Sequence, residues 1–422
     1  MTESIEIKPL ERATGTVSAP PSKSYSNRAY TVAALAEGTT RLVRPLFSDD
    51  TRYMKQALAA FGVSVEETET SAMVHGCGGQ LATPPEELFV GNAGTTMRFL
   101  TTFANLAGGE VRITGNERMQ ERPIQDLLDA LHEMGVDARS AKGNGCPPVV
   151  LKGGGVPGGT LHLAGDKSSQ YLTSLLLSAP YFQSDTTIKI LGELTSKPYV
   201  DITLDIMQTF GVTVENESYQ EFRVPAGQRY QARDYTIEGD ASSASYFFAA
   251  AAVTGGEVTV DHLNPESAQG DIRFPRVLEM MGCAVHYGDG KITLSGNRLR
   301  GIDVSMNSMP DVAQTLAVVA LFAEGPTTIT GIANLRIKET DRIGALASEL
   351  EKLGATVETG EDFLKVIPGP LRPAAIETFD DHRMAMSFAI AGLRIPGIRI
   401  LNPACVNKSF PEYFERLGDL YS

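Results

Sequence analysis

Six stretches of the chain are apolar on almost every side when they are drawn as helices. They recur at intervals of about seventy residues and read AYTVAALAEG, TMRFLTTFANLAGG, YLTSLLLSAP, ASYFFAAAAVTGG, VAQTLAVVALFAEG and RMAMSFAIAGL. A helix without a polar face is stable only where it is buried. The pattern therefore predicts six interior helices.

A second helical pattern, amphipathic rather than apolar, ends each repeat at a glycine. These residues are Gly62, Gly135, Gly211, Gly282, Gly354 and Gly418. Glycine just past a helix can adopt the left-handed backbone conformation without steric cost. Alternating residues such as Val63 and Val65 then predict strands. The pattern indicates an α/β fold of six βαβαββ units, and because six units exceed one ordinary core, we expect two domains of three units each.

The residues that open the interior helices carry hydroxyl, amide and charged side chains. The segments are SKSYSNR, GNAGTTMR, GDKSSQY, GDASSASY, MPDVAQ and DDHRM. Capping of free backbone amides explains many of the Ser, Thr, Asn and Asp residues. It does not explain cations near helix starts, where the helix dipole is already positive; these are Lys23, Arg28, Arg98, Lys167 and Arg383. Cations are expected there if the helix ends bind phosphate or carboxylate groups.

The overall charge limits what the anion can be. The chain has 51 acidic and 37 basic side chains and a net charge of −14. This balance argues against a nucleic-acid or anionic-membrane surface, whereas a locally basic pocket remains compatible with it. The sequence therefore predicts a compact anionic ligand.

Other bulk features favour a cytoplasmic protein without a cofactor. We expect no membrane span and no secretion signal, because no apolar run is long enough and the N-terminus has no basic segment followed by an apolar one. The four cysteines, Cys77, Cys146, Cys283 and Cys405, have neither paired nor metal-ligand spacing. No phosphate-binding glycine loop of the nucleotide-binding kinds is present.

Charge also gathers where the amphipathic helices begin. The segments are QERPIQDLLDALHEMG, LTSKPYVDITLDIMQTFG, RIKETDRIGALASELEKLG and VNKSFPEYFERLG. Pro123 is expected at the first helical position of the first of these, after Arg122. Each segment alone is explained by a solvated helix start with weak ion pairs. Their recurrence at equivalent positions favours a common binding surface.

Together these motifs resemble the 3-phosphoshikimate 1-carboxyvinyltransferase (EPSP synthase) family, end to end and in order. The resemblance implies an inside-out α/β barrel fold in two domains, each of three βαβαββ units. It implies that a domain of residues 21–237, on the shikimate 3-phosphate side, is inserted into a second domain. That second domain consists of residues 1–20 and 238–422 and contains much of the phosphoenolpyruvate site.

The implied reaction transfers the enolpyruvyl group of phosphoenolpyruvate to the 5-hydroxyl of shikimate 3-phosphate. It passes through a tetrahedral ketal and releases phosphate, as a step of the shikimate pathway to chorismate and aromatic amino acids. The resemblance implies no cofactor, no metal, no nucleic acid, no membrane, and a monomer in the cytoplasm. Both substrates are compact anions, as the charge pattern requires.

The family's binding residues map onto this sequence motif by motif. For shikimate 3-phosphate the implied residues are Lys23, Ser24, Arg28, Ser168, Ser169, Gln170, Ser196, Tyr199, Asp311, Asn334 and Lys338. For phosphoenolpyruvate they are Lys23, Gly94, Arg122, Gln170, Arg342, Arg383 and Lys408. Retention of Gly94 implies inhibition by the phosphoenolpyruvate analogue glyphosate, and Phe99 leaves its strength open.

Three residues are implied as catalytic. Asp311 would orient and deprotonate the shikimate hydroxyl, and Glu339 would carry protons at the methylene carbon, with Lys23 as an acid partner. A plainer interpretation of Asp311 is a helix cap following Pro310.

Two other functions are compatible with parts of the pattern. UDP-N-acetylglucosamine enolpyruvyl transferase would share the fold and the donor, but its members place a cysteine in the loop that here reads TGNERMQERP. A catalytically inactive anion-binding protein should lack one of Lys23, Asp311, Glu339 or Lys408, and all four are present.

Overall fold

The computed structural model describes residues 3–421 of the chain. The strands are β1 Ser4–Glu6, β2 Thr14–Ser18, β3 Glu37–Val43, β4 Ser64–Glu67, β5 Ser71–Cys77, β6 Leu88–Phe89, β7 Val111–Thr114, β8 Ala138–Ser140, β9 Val149–Leu151, β10 Gly159–Ala164, β11 Thr186–Leu191, β12 Glu215–Glu217, β13 Glu221–Val224, β14 Asp234–Thr236, β15 Glu257–Asp261, β16 Ala284–Gly288, β17 Lys291–Ser295, β18 Asp303–Ser305, β19 Thr327–Thr330, β20 Thr356–Thr359, β21 Phe363–Ile367, β22 Ala375–Ile376 and β23 Arg399–Leu401.

The α-helices alternate with these strands. They are α1 Lys23–Leu35, α2 Asp49–Ala60, α3 Gly94–Phe103, α4 Gln125–Glu133, α5 Ser169–Ser178, α6 Lys197–Thr209, α7 Ala241–Thr254, α8 Phe274–Met280, α9 Ala313–Val319, α10 Arg342–Lys352, α11 His382–Gly392 and α12 Tyr413–Gly418. Short 3-10 helices that matter below are Gly270–Arg273, Pro310–Val312, Ala333–Ile337 and Pro403–Lys408.

The chain divides into two compact units. One, the inserted unit, is Pro21–Ile237, and the other, the terminal unit, comprises the described residues of Met1–Pro20 and Glu238–Ser422. The first and last strands of the inserted unit, β3 and β14, pair in parallel. In the terminal unit β2 pairs in parallel with β15, so the strands on either side of the insertion lie next to each other.

Each unit contains three sheets of one repeated design. Among the described residues, five sheets have four strands, and four of these have the chain order first, second, fourth, third, as in β10-β11-β13-β12. In the fifth, β14-β3-β5-β4, the last strand of the inserted unit takes the place of the first. The first two strands are parallel and the others antiparallel. In the sixth sheet β1, from the start of the chain, pairs with β23 beside β22. The predicted two-domain α/β fold of βαβαββ units is confirmed.

The apolar helices form the interior of each unit. Helices α1, α3 and α5 pack on one another in the inserted unit, and α7, α9 and α11 do so in the terminal unit. All residues of α7 are buried, as its sequence predicts. The amphipathic helices cover them and bury one face: α10 buries Ile343, Leu346 and Leu350, which are spaced by three and four residues.

Five of the six repeat-ending glycines adopt positive φ: Gly62, Gly135, Gly211, Gly282 and Gly354. The prediction was wrong for Gly418, because it remains in α12 and the chain continues into a 3-10 turn, Asp419–Tyr421. Pro123 was also misplaced. The helix after it begins at Gln125, because a 3-10 turn and the extended residue Arg122 come first.

Candidate active site

In the inserted unit, the first turns of four helices are joined by side-chain contacts. Lys23 Nζ at the start of α1 lies 3.3 Å from Asp50 Oδ2 in α2. The backbone carbonyl of Asp50 accepts from Thr96 Oγ1 of α3 at 3.3 Å. Thr95, the neighbour of Thr96, accepts from Gln170 Nε2 of α5 at 3.2 Å. The starts of α1, α2, α3 and α5 therefore lie together, as the recurrence of polar residues there predicts.

Arg28 lies behind this surface and is almost fully buried. Its guanidinium donates to Thr203 Oγ1 at 2.9 Å and to the backbone carbonyls of Ser24 and Tyr199, both at 2.9 Å. It also stacks over Phe99, 5.3 Å from the ring centre. Burial lowers the pKa of Arg28 to about 10. Arg28 thus holds the backbone of Ser24 and Tyr199 while it adds positive charge from beneath.

The start of α3 is enclosed by two arginines. Arg122 Nη1 donates to the carbonyl and the side-chain oxygen of Asn92, at 3.1 and 2.9 Å. Arg98 donates to the carbonyls of Gly94 and Pro123, at 3.2 and 3.1 Å. A Cβ added at Gly94 would lie 2.5 Å from Arg122 Nη2 and 2.7 Å from Arg98 Nη1. The two guanidinium groups approach this closely because the position is glycine.

The serines expected to bind substrate also occupy helix starts. Ser168 caps α5 and accepts from the backbone N–H of Gln170 at 3.3 Å, while Ser169 is buried. Ser196 precedes α6 with a positive φ of 56°, and its backbone carbonyl accepts from the N–H of Tyr199 at 3.0 Å. A left-handed serine at a helix start is a strained position of the kind that often occurs at binding sites.

In the terminal unit, Arg342 is the centre of a buried ion cluster. At the first residue of α10, its guanidinium contacts Asp381 at 2.7 Å, Glu339 at 2.9 Å and Asp311 at 3.3 Å. Its side chain is 1% exposed. Burial alone would lower the pKa of Arg342, but the charges of the three carboxylates outweigh it and raise that pKa above its usual value.

Other cations complete the cluster around Asp311 and Glu339. Arg383 Nη2 lies 2.9 Å from Asp311 Oδ2, and Lys338 Nζ lies 3.9 Å from Asp311 Oδ1. Lys408 Nζ lies 3.9 Å from Glu339 Oε1. Asp311 keeps 17% of its side chain exposed, so it can accept a hydrogen bond from a hydroxyl group while cations surround it.

These residues reach the cluster from separate elements. Asp311 lies in the 3-10 helix Pro310–Val312, Arg383 in the first turn of α11, and Lys408 at the end of Pro403–Lys408. Asn334, in Ala333–Ile337, is buried close in sequence to Lys338. Asp311 is the second residue of its 3-10 helix, and the residue at the cap position of α9 is Val312 rather than Asp311.

Sequence reasoning missed two buried carboxylates of the terminal unit. Asp381 caps α11 by accepting from the N–H of Arg383 at 2.9 Å, and it also binds Arg342. Its place in DDHRM indicated only a cap. Asp271 lies in the 3-10 helix Gly270–Arg273 and had no sequence signal, because the segment AQGDIRF has the composition of an ordinary loop.

Neither a metal centre nor a membrane helix is found between residues 3 and 421. No group of three His, Cys, Asp or Glu side chains there could hold a metal ion. Each helix in this range is too short or too polar to cross a bilayer. The four cysteines are all unbridged.

Comparisons with known proteins agree over almost the whole chain. Residues 7–417 match the family model described as EPSP synthase (3-phosphoshikimate 1-carboxyvinyltransferase). A 3-phosphoshikimate 1-carboxyvinyltransferase of Photobacterium profundum is 48% identical and one of Serratia proteamaculans 50% identical, each alignment covering 99% of both chains. A solved EPSP synthase of Acinetobacter baumannii has 29% identity and a TM-score of 0.83, covering 99% of this chain and 98% of that one.

Proposed function

The chain belongs to the EPSP synthase family, and from this premise we propose which of its residues bind the two substrates and which move protons. The enzyme transfers the enolpyruvyl group of phosphoenolpyruvate to the 5-hydroxyl of shikimate 3-phosphate, giving 5-enolpyruvylshikimate 3-phosphate and phosphate. UDP-N-acetylglucosamine transfer and an inactive binding protein are not favoured by the named relatives.

Shikimate 3-phosphate is proposed to bind mainly at the helix starts of the inserted unit. The backbone N–H groups of the first helical turns, together with hydroxyls and cations, are suited to a phosphate. The residues are Lys23, Ser24, Arg28, Ser168, Ser169, Gln170, Ser196 and Tyr199, with Asp311, Asn334 and Lys338 contributed by the terminal unit. What supports this assignment is the chain of contacts that holds the first turns of α1, α2, α3 and α5 together.

Phosphoenolpyruvate is proposed to bind to the guanidinium and ammonium groups of both units. These are Lys23, Arg122, Arg342, Arg383 and Lys408, with Gly94 and Gln170 beside them. Arginine suits this role because its planar donors match carboxylate and phosphate oxygens in pairs. The same cations would stabilise the negative charge that the departing phosphate carries.

Asp311 is proposed as the base for the shikimate hydroxyl. As the hydroxyl oxygen bonds to the central carbon of phosphoenolpyruvate, its proton passes to Asp311, and the methylene carbon takes a proton to become a methyl group. The resulting ketal then loses phosphate, and a methyl proton leaves to restore the double bond. Glu339 is proposed to carry the proton at this carbon, with Lys23 as its acid partner.

The observation that carries this mechanism is the ion cluster of the terminal unit. Asp311 and Glu339 share Arg342, and each contacts a further cation, Arg383 or Lys408. Cations at these distances favour ionised carboxylates, which is the state that a base requires.

A phosphate-release assay tests the assignment of Asp311. With phosphoenolpyruvate and shikimate 3-phosphate, Asp311→Asn should lower kcat by roughly 10²- to 10⁴-fold, the usual range for a lost general base. Calorimetry should still detect shikimate 3-phosphate binding. The control is Asp303→Asn, which changes an exposed carboxylate on β18. Wild-type kcat in Asp311→Asn would remove Asp311 from the mechanism.

The proposal extends to a monomer that works in the cytoplasm, without nucleic-acid or membrane partners. The acidic net charge of −14 supports the absence of nucleic-acid and anionic-membrane partners, since such a surface repels other polyanions. Light scattering after size exclusion should give the mass of one 45.3 kDa chain. A dimer mass at micromolar concentration would contradict it.

A further inference from the structure

Asp271 is a buried carboxyl group that the mechanism above does not use. It lies in the 3-10 helix Gly270–Arg273 and is 3% exposed. The hydroxyl of Ser242, in the first turn of α7, donates to its Oδ2. Its other oxygen, Oδ1, has no hydrogen-bond partner within residues 3–421.

Such surroundings disfavour a negative charge on Asp271. An ionised carboxylate removed from water is costly unless a cation and hydrogen bonds satisfy it, and a single hydroxyl is weak compensation. Burial, together with smaller effects of the nearby charges of Asp311 and Asp240, raises the pKa of Asp271 to about 7, although Arg383 and the hydrogen bond from Ser242 act in the opposite direction. Near neutral pH, Asp271 therefore retains a proton for much of the time.

Three charged groups face Asp271, and two of them, Asp311 and Arg383, belong to the proposed active site. Asp311 comes from Pro310–Val312, Arg383 from α11, and Asp240 from the start of α7. Arg383 already binds Asp311 at 2.9 Å. If Asp271 lost its proton, a second carboxylate would compete for the charge of Arg383 and would repel Asp311.

We propose that Asp271 is a positioning residue that holds a proton during turnover and so keeps Arg383 available to Asp311 and to phosphoenolpyruvate. The proposal rests on the assignment of Arg383 to phosphoenolpyruvate made above. Asp271 does not touch the reacting atoms; it acts through Arg383 and Asp311. Loss of its proton should weaken phosphoenolpyruvate binding more than shikimate 3-phosphate binding.

The test is the pH profile of kcat/KM for phosphoenolpyruvate between about pH 6 and about pH 9. The wild type should lose roughly tenfold across the alkaline half of this range, mainly through KM for phosphoenolpyruvate. Asp271→Asn cannot ionise, so it should keep the value of the wild type at low pH and lack this decline. An identical decline in Asp271→Asn and in the wild type would overturn the proposal.

Ser242→Ala provides a second variant with a predicted direction. The Ser242 hydroxyl stabilises the ionised form of Asp271, so its removal should raise the pKa of Asp271 and move the decline to higher pH. A shift to lower pH, or none, would contradict the proposal even if Asp271→Asn does not fold. Asp289→Asn, in an exposed turn, should leave the profile unchanged.

Thermal unfolding tests, independently of activity, whether Asp271 is protonated in the folded protein. Because the pKa of Asp271 is raised in the folded state, its stabilising contribution is full below the unfolded pKa of about 4 and is lost as pH rises through about 7. The Tm of the wild type relative to Asp271→Asn should fall over that range. A difference in Tm that does not change with pH would show that Asp271 does not hold the proton.

The variant Arg383→Ala distinguishes the proposed role of Asp271 from the proposed binding of phosphoenolpyruvate by Arg383. If that variant has the wild-type KM for phosphoenolpyruvate, the assignment of Arg383 fails and the proposal for Asp271 fails with it. If Arg383→Ala raises this KM but Asp271→Asn retains the alkaline decline, only the role of Asp271 is refuted.

Discussion

Replacing Gly94 by alanine should weaken phosphoenolpyruvate binding without unfolding the enzyme. The new methyl group would lie 2.5 Å from Arg122 Nη2 and 2.7 Å from Arg98 Nη1. Ordinary contact needs roughly 3.5 Å, so a guanidinium group must move by about 1 Å. Both obstacles are the ends of flexible side chains, which can move at little cost in stability.

The magnitude follows from what Arg122 loses when it moves. Its Nη1 donates two hydrogen bonds to Asn92, at 3.1 and 2.9 Å, and these fix the direction of the guanidinium. A hydrogen bond to a charged group contributes about 1.5–3 kcal/mol. Loss of one such bond to phosphoenolpyruvate corresponds to a roughly 10- to 100-fold higher KM, since about 1.4 kcal/mol is tenfold.

Steady-state phosphate release, with phosphoenolpyruvate varied at saturating shikimate 3-phosphate, measures this KM. KM for shikimate 3-phosphate should change little. If glyphosate occupies the phosphoenolpyruvate site, as the family resemblance implies for this analogue, its inhibition constant should rise in the same variant.

The matched control is Gly108→Ala, because a Cβ at Gly108 meets no atom within 4 Å. The control should have wild-type constants. A Gly94→Ala enzyme with the wild-type KM for phosphoenolpyruvate would refute the reasoning, because it would mean that Arg122 can move without affecting the substrate.

Two further predictions concern stability and thiol chemistry. Arg342→Met leaves three carboxylates around an apolar side chain, so urea unfolding should show that the free energy of unfolding falls by about 3–5 kcal/mol. A fall of less than about 1 kcal/mol would mean that the cluster is unimportant for stability. Burial raises the pKa of Cys283 to about 11 and of Cys405 to about 12, so a thiol reagent should modify the less buried Cys77 and Cys146 first and reach the other two only after unfolding. Four equal rates in the native protein would contradict this.

Local patterns in the sequence were sufficient to predict the repeat and its helices. The unbroken apolar run of α7 gives a helix buried at every residue, and the glycine after α2, Gly62, takes a φ of +87°. The predictions were wrong where the conformation of the neighbouring backbone, rather than one residue type, determines where a helix begins or ends. Pro123 lies two positions before its helix because a tight turn precedes it, and Gly418 continues as helix.

Partners distant in sequence could not be predicted from those patterns. The motif around Lys23 predicts that this residue binds an anion, but no nearby sequence feature identifies Asp50 as its ion-pair partner. Strand β1 has no local signal for pairing with β23 near the end of the chain. Asp271 is the clearest example, because its proposed role depends on burial among groups on three other elements, and such contacts leave no periodic pattern in the sequence.

The two units each contain a buried arginine, and the two arginines differ in the charge of their hydrogen-bond partners. Arg342 in the terminal unit binds three carboxylates, which raise its pKa. Arg28 in the inserted unit donates to a hydroxyl and to carbonyl groups, and burial lowers its pKa to about 10. Neutral oxygens satisfy the hydrogen bonds of Arg28 but not its charge. A phosphate bound at the neighbouring helix starts would supply the missing negative charge, so Arg28 can favour shikimate 3-phosphate through its electric field while its own hydrogen bonds remain within the protein.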